Sequence, residues 1–528
     1  PVSQDHISAL IVYGDTLPSG FGSSDRIKKI YSLKDAESLG INDTYTDETK
    51  ATGGAVEITV KGATGDVETI SLDGASLGSY TILSTDATTD DVATGLTAAI
   101  NALTTEHGFS AAVNGVTTDQ VDVTAPDGMG VVINSGTGTL AFASSGTGTA
   151  TVTQFTSGVG SLFKAVHYHI DEYFRIRPDG VLYVGWYAQG TFDGAEIETV
   201  QDYAEGEIRQ MAVYVSHEAF ATSQVDACQT YTAIVRAKYE PLSIIFHSDF
   251  SAVTLANVTN LTTLTDSDVS VLIGEDGNWH QSAYSNTQNY IQGDKVVWLN
   301  KSYIAKRSAS GNAPYDTDYW SEVSERIQAI NGFSVSCLGN ALGTVSKAAV
   351  HENIGWVEQF AVNDGNVLDV SGFATGDLYD SQTTSLLDTL NDYHYVFLRK
   401  YTGRSDTYYN DSYTAIAITS DYATIENNRV MDKAERLIYT AVVAKLNSPL
   451  YVNADGTLTE DTLALFTNTA KAPLVQMQRD AEISDLSVTI DPDQDVLTTS
   501  TLEINVVLLP VGVARDIVIN SGFTTKIV

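Results

Sequence analysis

Val181-Leu182-Tyr183-Val184-Gly185-Trp186 reads as a β-strand, and the elements on its C-terminal side decide the fold. Residues 196–209 carry a helical pattern, 211–215 a strand, 224–238 a helix, and 242–246 and 269–274 two more strands. Strands separated by helices of this length imply a parallel or mixed sheet covered by helices, an α/β region.

Composition shifts on both sides of that region. Residues 51–160 are rich in Gly, Thr, Ser, Val and Asp, with alternating stretches such as Val56-Glu57-Ile58-Thr59-Val60 and Val121-Asp122-Val123-Thr124 that read as strands. One amphipathic stretch, 90–106, interrupts them, with Val92, Leu96, Ile100 and Leu103 at helical spacing and Thr88 or Thr89 available as cap. The expected unit is a β-rich insertion with one helix. A second shift spans 278–323, where Trp279, Tyr284, Tyr290, Trp298, Tyr303, Tyr315, Tyr319 and Trp320 crowd together.

The last third is of a different class. A helix is expected over 425–446, stopped at Asn447-Ser448-Pro449, and another from Thr459, carrying Leu463, Leu465, Phe466, Leu474 and Met477 and interrupted at Pro473. Strands come next at 486–490, 501–509 and 514–519, so this part reads as α+β. At 528 residues the chain is too long for one ordinary core.

Several function classes are disfavoured. The formal charge is -37, with only 29 Lys and Arg against 66 Asp and Glu, and the basic runs, such as Arg175-Ile176-Arg177, are tiny. Nucleic-acid binding needs clustered cations, so none is expected. The two cysteines, Cys228 and Cys337, sit in apolar helical patterns and read as buried free thiols. There is no apolar run of about 18 residues, and Pro1-Val2-Ser3-Gln4-Asp5-His6 is no signal peptide, so membrane insertion is not expected and synthesis in a bacterial cytoplasm is. No Gly-x-Ser-x-Gly, His-Glu-x-x-His, Walker-type or paired-cysteine motif occurs. His167 and His169 read as one face of an alternating strand with Asp171 and Glu172 near, a metal site only if partners come from elsewhere. The expectation is a protein that is not an enzyme, with no catalytic residue, cofactor or metal.

Beyond composition and pattern, particular stretches resemble a known family. They are Pro1-Val2-Ser3-Gln4-Asp5-His6-Ile7-Ser8, residues 161–186, and residues 332–357 around Cys337-Leu338-Gly339 and Asn353-Ile354-Gly355-Trp356-Val357. In the last third they are Glu426-Asn427-Asn428-Arg429-Val430-Met431-Asp432-Lys433-Ala434, Leu446-Asn447-Ser448-Pro449-Leu450, Ser487-Val488-Thr489-Ile490-Asp491-Pro492 and Leu509-Pro510-Val511-Gly512-Val513-Ala514-Arg515. Together they resemble the contractile tail sheath proteins of myophages and related injection systems. The resemblance implies a sheath core of residues 1–50 and 161–277, resumed at 324–367, with a closing domain at 368–528 and insertions at 51–160 and 278–323. It also implies a bacteriophage virion or injection-system tail in which homo-hexameric rings stack helically around a tail tube protein, with baseplate and tail terminator proteins as further partners. Contraction would drive the tube through the target cell envelope for genome ejection. Chain termini that add strands to neighbours' sheets belong to the same implication. The apolar, sparsely charged tail from Thr501 suits it, with Thr524, Thr525, Lys526, Ile527 and Val528 as the candidate inter-subunit strand. The alternative is that the terminus finishes its own sheet.

The aromatic insertion carries a second resemblance. Tyr290-Ile291-Gln292-Gly293-Asp294-Lys295-Val296-Val297-Trp298, the hairpin through Tyr303, Gly311-Asn312-Ala313-Pro314 and Tyr319-Trp320 are similar to the small chitin-binding modules of bacterial chitinases. Aromatic faces stack on sugars, which makes Trp298, Tyr303 and Trp320 candidate contacts for a cell-surface glycan. A unit of about 45 residues also needs aromatics simply to build a core. An adhesion protein or a glycoside hydrolase with a carbohydrate-binding insert are the alternative functions.

Overall fold

The computed structural model describes residues 4–523 except 45, 73, 127–139, 157, 159, 278–283, 286, 299–300, 323–334, 364–367, 516 and 520. Residues 524–528, the candidate inter-subunit strand, lie outside the described residues.

A seven-stranded mixed sheet organises the chain, in the order Ile27–Ile30, Val181–Tyr187, Ile7–Tyr13, Gln210–Ala219, Ser243–Asp249, Val269–Leu272 and Tyr395–Val396. Only the Ile27–Ile30 edge strand is antiparallel to its neighbour. Ile7–Tyr13 was not singled out as a strand from sequence, yet all seven of its residues are buried. A continuous apolar run covered on both faces is what a central parallel strand requires. Its alternate residues feed two cores. Ala9, Ile11 and Tyr13 join Ile197, Val200, Val225, Cys228 and Val235 of the helices Ala195–Tyr203 and Thr222–Ala237. Leu10 and Val12 join Val166, Ile170, Tyr173, Leu342 and Val345 of the helices Leu162–Ile176 and Leu338–Lys347 on the other face.

Leu162–Ile176 corrects one expectation, since the His167/His169 stretch is helical. Leu162, Val166, Ile170 and Tyr173 recur at three and four, a stronger signal than the local alternation around the histidines. Its start is capped twice. Ser161 Oγ accepts from Lys164 N at 3.1 Å, and the Asp47 carboxylate accepts from Leu162 N and Phe163 N at 2.9 and 3.1 Å. On the opposing helix Gly339 and Gly343 share one face. A Cβ on Gly339 would lie 1.9 Å from the His169 carbonyl oxygen, and one on Gly343 3.0 Å from that of Tyr173.

Residues 51–155 have a separate apolar cluster, including Val56, Ile70, Leu77, Leu96, Ile100, Val121 and Phe155. Four strands (Ser110–Val113, Gln120–Thr124, Ala55–Val60, Thr149–Thr153) and three (Ala75–Thr81, Val67–Leu72, Leu140–Ser144) enclose the helix Thr89–Ala102, whose N-cap is Thr88. The aromatic stretch forms a three-stranded sheet of Lys295–Trp298, Lys301–Ala305 and Trp320–Glu322. In the last third, Ile425–Val442 and Glu460–Arg479 pack with the hairpin Asp485–Thr489/Asn505–Leu509. Two expectations fail there. Glu460–Arg479 continues through Pro473, and no strand forms among the described residues of 514–519. No helix of the described residues is long and apolar enough to cross a membrane.

The glycine contact makes a sharp test. Gly339→Ala is expected to cost about 3 kcal/mol or more in urea unfolding, because a backbone carbonyl cannot swing aside, and Gly343→Ala about 1 kcal/mol. Equal midpoints for Gly339→Ala and the parent chain would mean that these helices do not approach this closely in solution.

Candidate assembly surface

The closing helices are fastened to the sheet region by the chain's few cations. Arg236, on the Thr222–Ala237 helix, reaches Asp432 Oδ1 at 2.7 Å, Asp268 Oδ1 at 2.9 Å and Glu435 Oε2 at 2.9 Å. Lys433 Nζ lies 3.0 Å from Asp5 Oδ2 and 2.6 Å from Glu482 Oε1, and Arg429 Nη1 donates to the carbonyls of Ala348 and Ala349 at 3.2 and 3.3 Å. Tyr239 stacks on Tyr439 at 4.0 Å between ring centroids. Beside this joint the strand pair Thr265–Asp266/Ala415–Ile416 adds backbone hydrogen bonds, with Ala415 in the core of the sheet region.

Two buried carboxyls belong to this joint. Burial, reinforced by the Asp226 carboxyl, pushes Asp266 up to about 7. Asp432 is pushed up to about 6 by burial against the opposing pull of Arg236.

Outward, the joint gives way to unpaired structure. Among the described residues Asp485–Thr489 and Asn505–Leu509 pair only with each other, so each keeps a free edge. Val506 and Leu508 turn inward with Val488 and Leu486, while Val507 and Leu509 face solvent. Beyond Pro510 the described residues form neither helix nor strand, and Ile517, Val518 and Ile519 are 79%, 81% and 82% exposed. Sequence reasoning flagged this apolar tail. It missed Arg515, which is the single Lys or Arg between Arg479 and Lys526 and the tail's one cationic anchor to the body among the described residues. The signal lay in that scarcity.

The other candidates fall elsewhere. Trp298, Tyr303 and Trp320 are 4%, 4% and 1% exposed, packed with Tyr284, Tyr290 and Ala75 in one cluster. Trp298 lies 5.2 Å from Tyr315 between centroids, and Tyr290 lies 5.2 Å from Trp320. As packed, their faces serve the unit's own core, and stacking on a sugar would require it to open. His167 and His169 diverge, as residues two apart on a helix must. His167 Nε2 sits 3.3 Å from Glu37 Oε1, whereas His169 is buried against Tyr214 and lowered to about 3 by burial. Glu172 pairs with Arg175 and accepts from Asn340 Nδ2. Among the described residues no group of three or more His, Cys, Asp or Glu could hold a metal ion. Cys228 and Cys337 are free and buried.

Comparison with known proteins gives two family matches, to the DUF2586 N-terminal domain over residues 310–413 and to the DUF2586 C-terminal domain over 421–528. Together they span less than half of the chain. No curated protein matches. Among solved structures, the chain is similar to the contracted helical sheath of the anti-feeding prophage, at 15% identity and TM-score 0.43 over 71% of this chain and 84% of that one. It is similar to the contracted PVC sheath of an extracellular contractile injection system, at 12% identity and TM-score 0.39 over 69% and 80%. It is also similar to a sheath tail protein from Listeria innocua, at 10% identity and TM-score 0.33 over 96% and 95%.

Burial of Trp298 sets one expectation. Trp298→Ala should destabilise the aromatic unit by about 3 kcal/mol or more and erase its near-ultraviolet dichroism before any sugar is added. A variant that keeps both would place Trp298 on the surface.

The joint carboxyls set another, in pH. Unfolded aspartate titrates near about 3.9, so between that value and 6–7 the unfolded chain has released protons that the folded chain still holds. The stability these groups contribute is therefore complete below about pH 4 and is lost as pH rises through 6 to 7. Urea midpoints should fall from pH 5 to pH 8, and Asp266→Asn should remove on the order of 1–2 kcal/mol of that fall. An unchanged slope in Asp266→Asn would move the effect to other groups.

Proposed function

We propose that this chain is a structural subunit of a contractile tail sheath, without a catalytic site, that polymerises with itself as stacked hexameric rings around a tail tube. Its sequence resemblance to sheath proteins in both the sheet region and the closing part supports the reading. The observation that carries it is the C-terminal segment, where a hairpin with two free edges continues into an exposed apolar arm. Such edges and arms aggregate unless another chain pairs with them, and strand addition is the ordered way to do so. On this reading the closing part, 368–528, faces the tube and carries the connections, with tube, baseplate and terminator proteins as partners in a virion or injector tail. Residues 51–160 and 278–323 are inserted units carried by the 1–50, 161–277 and 324–367 core, on the outside of the sheath. Contraction is a rigid-body rearrangement of whole subunits, because dense interiors switch between packings and do not stretch.

Truncation after Leu509 tests this. The shortened chain should keep its far-ultraviolet dichroism yet form no long regular polymer in negative-stain microscopy, under conditions where the full chain does. Regular sheath from the truncated chain would mean that the arm is not the connector.

A further inference from the structure

The exposed arm is fastened to its own chain at one charged point. Arg515 Nε donates to both oxygens of Asp411, at 3.2 and 3.0 Å, and Nη2 donates to Glu426 Oε1 at 2.6 Å. The guanidinium also sits 5.7 Å from the centre of the Tyr413 ring. Both carboxylates are buried, although Asp411 belongs to a loop and Glu426 to the first turn of the Ile425–Val442 helix.

The pocket around them is built from neutral donors. Asn353 Nδ2 donates to Asp411 Oδ1 at 2.6 Å, to Ser412 Oγ at 3.0 Å and to Glu426 Oε1 at 3.3 Å. Ser412 N donates to Asp411 Oδ1 at 2.8 Å, and Ser412 Oγ donates to Glu426 Oε2. These donors satisfy lone pairs but leave two carboxyls side by side out of water, and burial raises Glu426 against the opposing pull of Arg515. A planar fork presents donors to both Asp411 oxygens and to Glu426 at fixed angles, a geometry that an ammonium does not reproduce even where it bridges two carboxylates as Lys433 does. The scarcity of cations in the arm leaves Arg515 as its only possible occupant among residues 480–525.

We propose that Asp411, Glu426 and Asn353 form a guanidinium socket that latches the C-terminal arm onto its own chain through Arg515, and that opening this latch frees the arm to engage another copy. The second half rests on the sheath reading, and the first half does not. The latch fixes the arm's backbone at Arg515 and so restricts where the arm can reach, while Ile517, Val518 and Ile519 stay exposed. It holds the arm by charge and geometry and leaves the apolar side chains unspent.

Trypsin reads the latch directly, because it cuts after Arg515 only when that side chain leaves the socket and enters the protease's own anionic pocket. With the full chain, mass spectrometry should show cleavage after Arg515 about 10-fold slower than in Asp411→Asn or Glu426→Gln, and slower than in a free peptide of residues 510–523. Dichroism identifies any variant that has unfolded, and the peptide reference stands even if both variants do. Equal cleavage in the full chain and the peptide overturns the socket. Light scattering with microscopy then reads the second half: Arg515→Ala should shorten the lag before polymer appears, with Arg515→Lys intermediate. A lag unchanged or lengthened in Arg515→Ala overturns the gating role. If the unaltered chain never polymerises, the sheath reading fails while the trypsin result still decides the socket.

Discussion

The close approach of two helices over the sheet is the contact on which the remaining architecture depends. Leu162–Ile176 begins where the chain returns from the 51–160 stretch, and Leu338–Lys347 begins where it returns from the aromatic stretch. Their backbones meet at Gly339, against the carbonyl of His169. Glu172 extends the contact by bonding both Arg175 and Asn340, whose Oδ1 accepts from Tyr409 at 2.8 Å. A fold interrupted twice by long excursions must be closed by something that does not depend on them. Backbone packing through glycine does this, because it fixes distance and direction together and tolerates almost no substitute.

Charge works at a different level. With a formal charge of -37, copies of this chain repel one another, over a range that ordinary salt limits to about a Debye length, roughly 8–10 Å. Cations are too few to neutralise the surface. Four of them join distant parts of the chain: Arg236, Arg429 and Lys433 between sheet region and closing helices, Arg515 between arm and body. Association between such chains must therefore draw on backbone pairing and apolar contact at short range, the two resources that the hairpin edges and the arm present.

The alternating middle was legible because helix and strand periods differ and each element is long enough to display its own. The strands and the long helix within 51–155 were legible for the same reason, down to Thr88 as the helix cap. Failures occurred where a local pattern competed with a longer one. The histidine pair suggests period two over a few residues, but the apolar positions of Leu162–Ile176 run at three and four over the whole helix. At Pro473 the helix continues, with Leu474 and Met477 buried one turn on, so packing overrides the lost backbone donor. Residue type could not separate core aromatics from sugar-stacking ones, since both uses select Trp and Tyr. At the candidate assembly surface the apolar tail was visible in composition. Its anchor was not, because Asp411 and Glu426 come together only through the fold and acidic residues are too common in this chain to mark a site.

The division between rigid body and loose arm has a physical basis that extends to the proposed mechanical role. In the sheet region, apolar groups are committed to two cores that share one central strand. Displacing any one of these elements exposes others, so the body responds to load as a unit. In the described residues of the arm, by contrast, the apolar side chains face solvent, the cationic anchor ties them to the body, and the backbone has no ladder to break. Exchange between partners costs least where native contacts are fewest, and at this terminus the charged contacts reduce to one ion cluster. A machine that must hold its subunits together while they rotate past one another requires that combination: bodies that do not deform, and a connection released from few side-chain contacts and captured by backbone pairing.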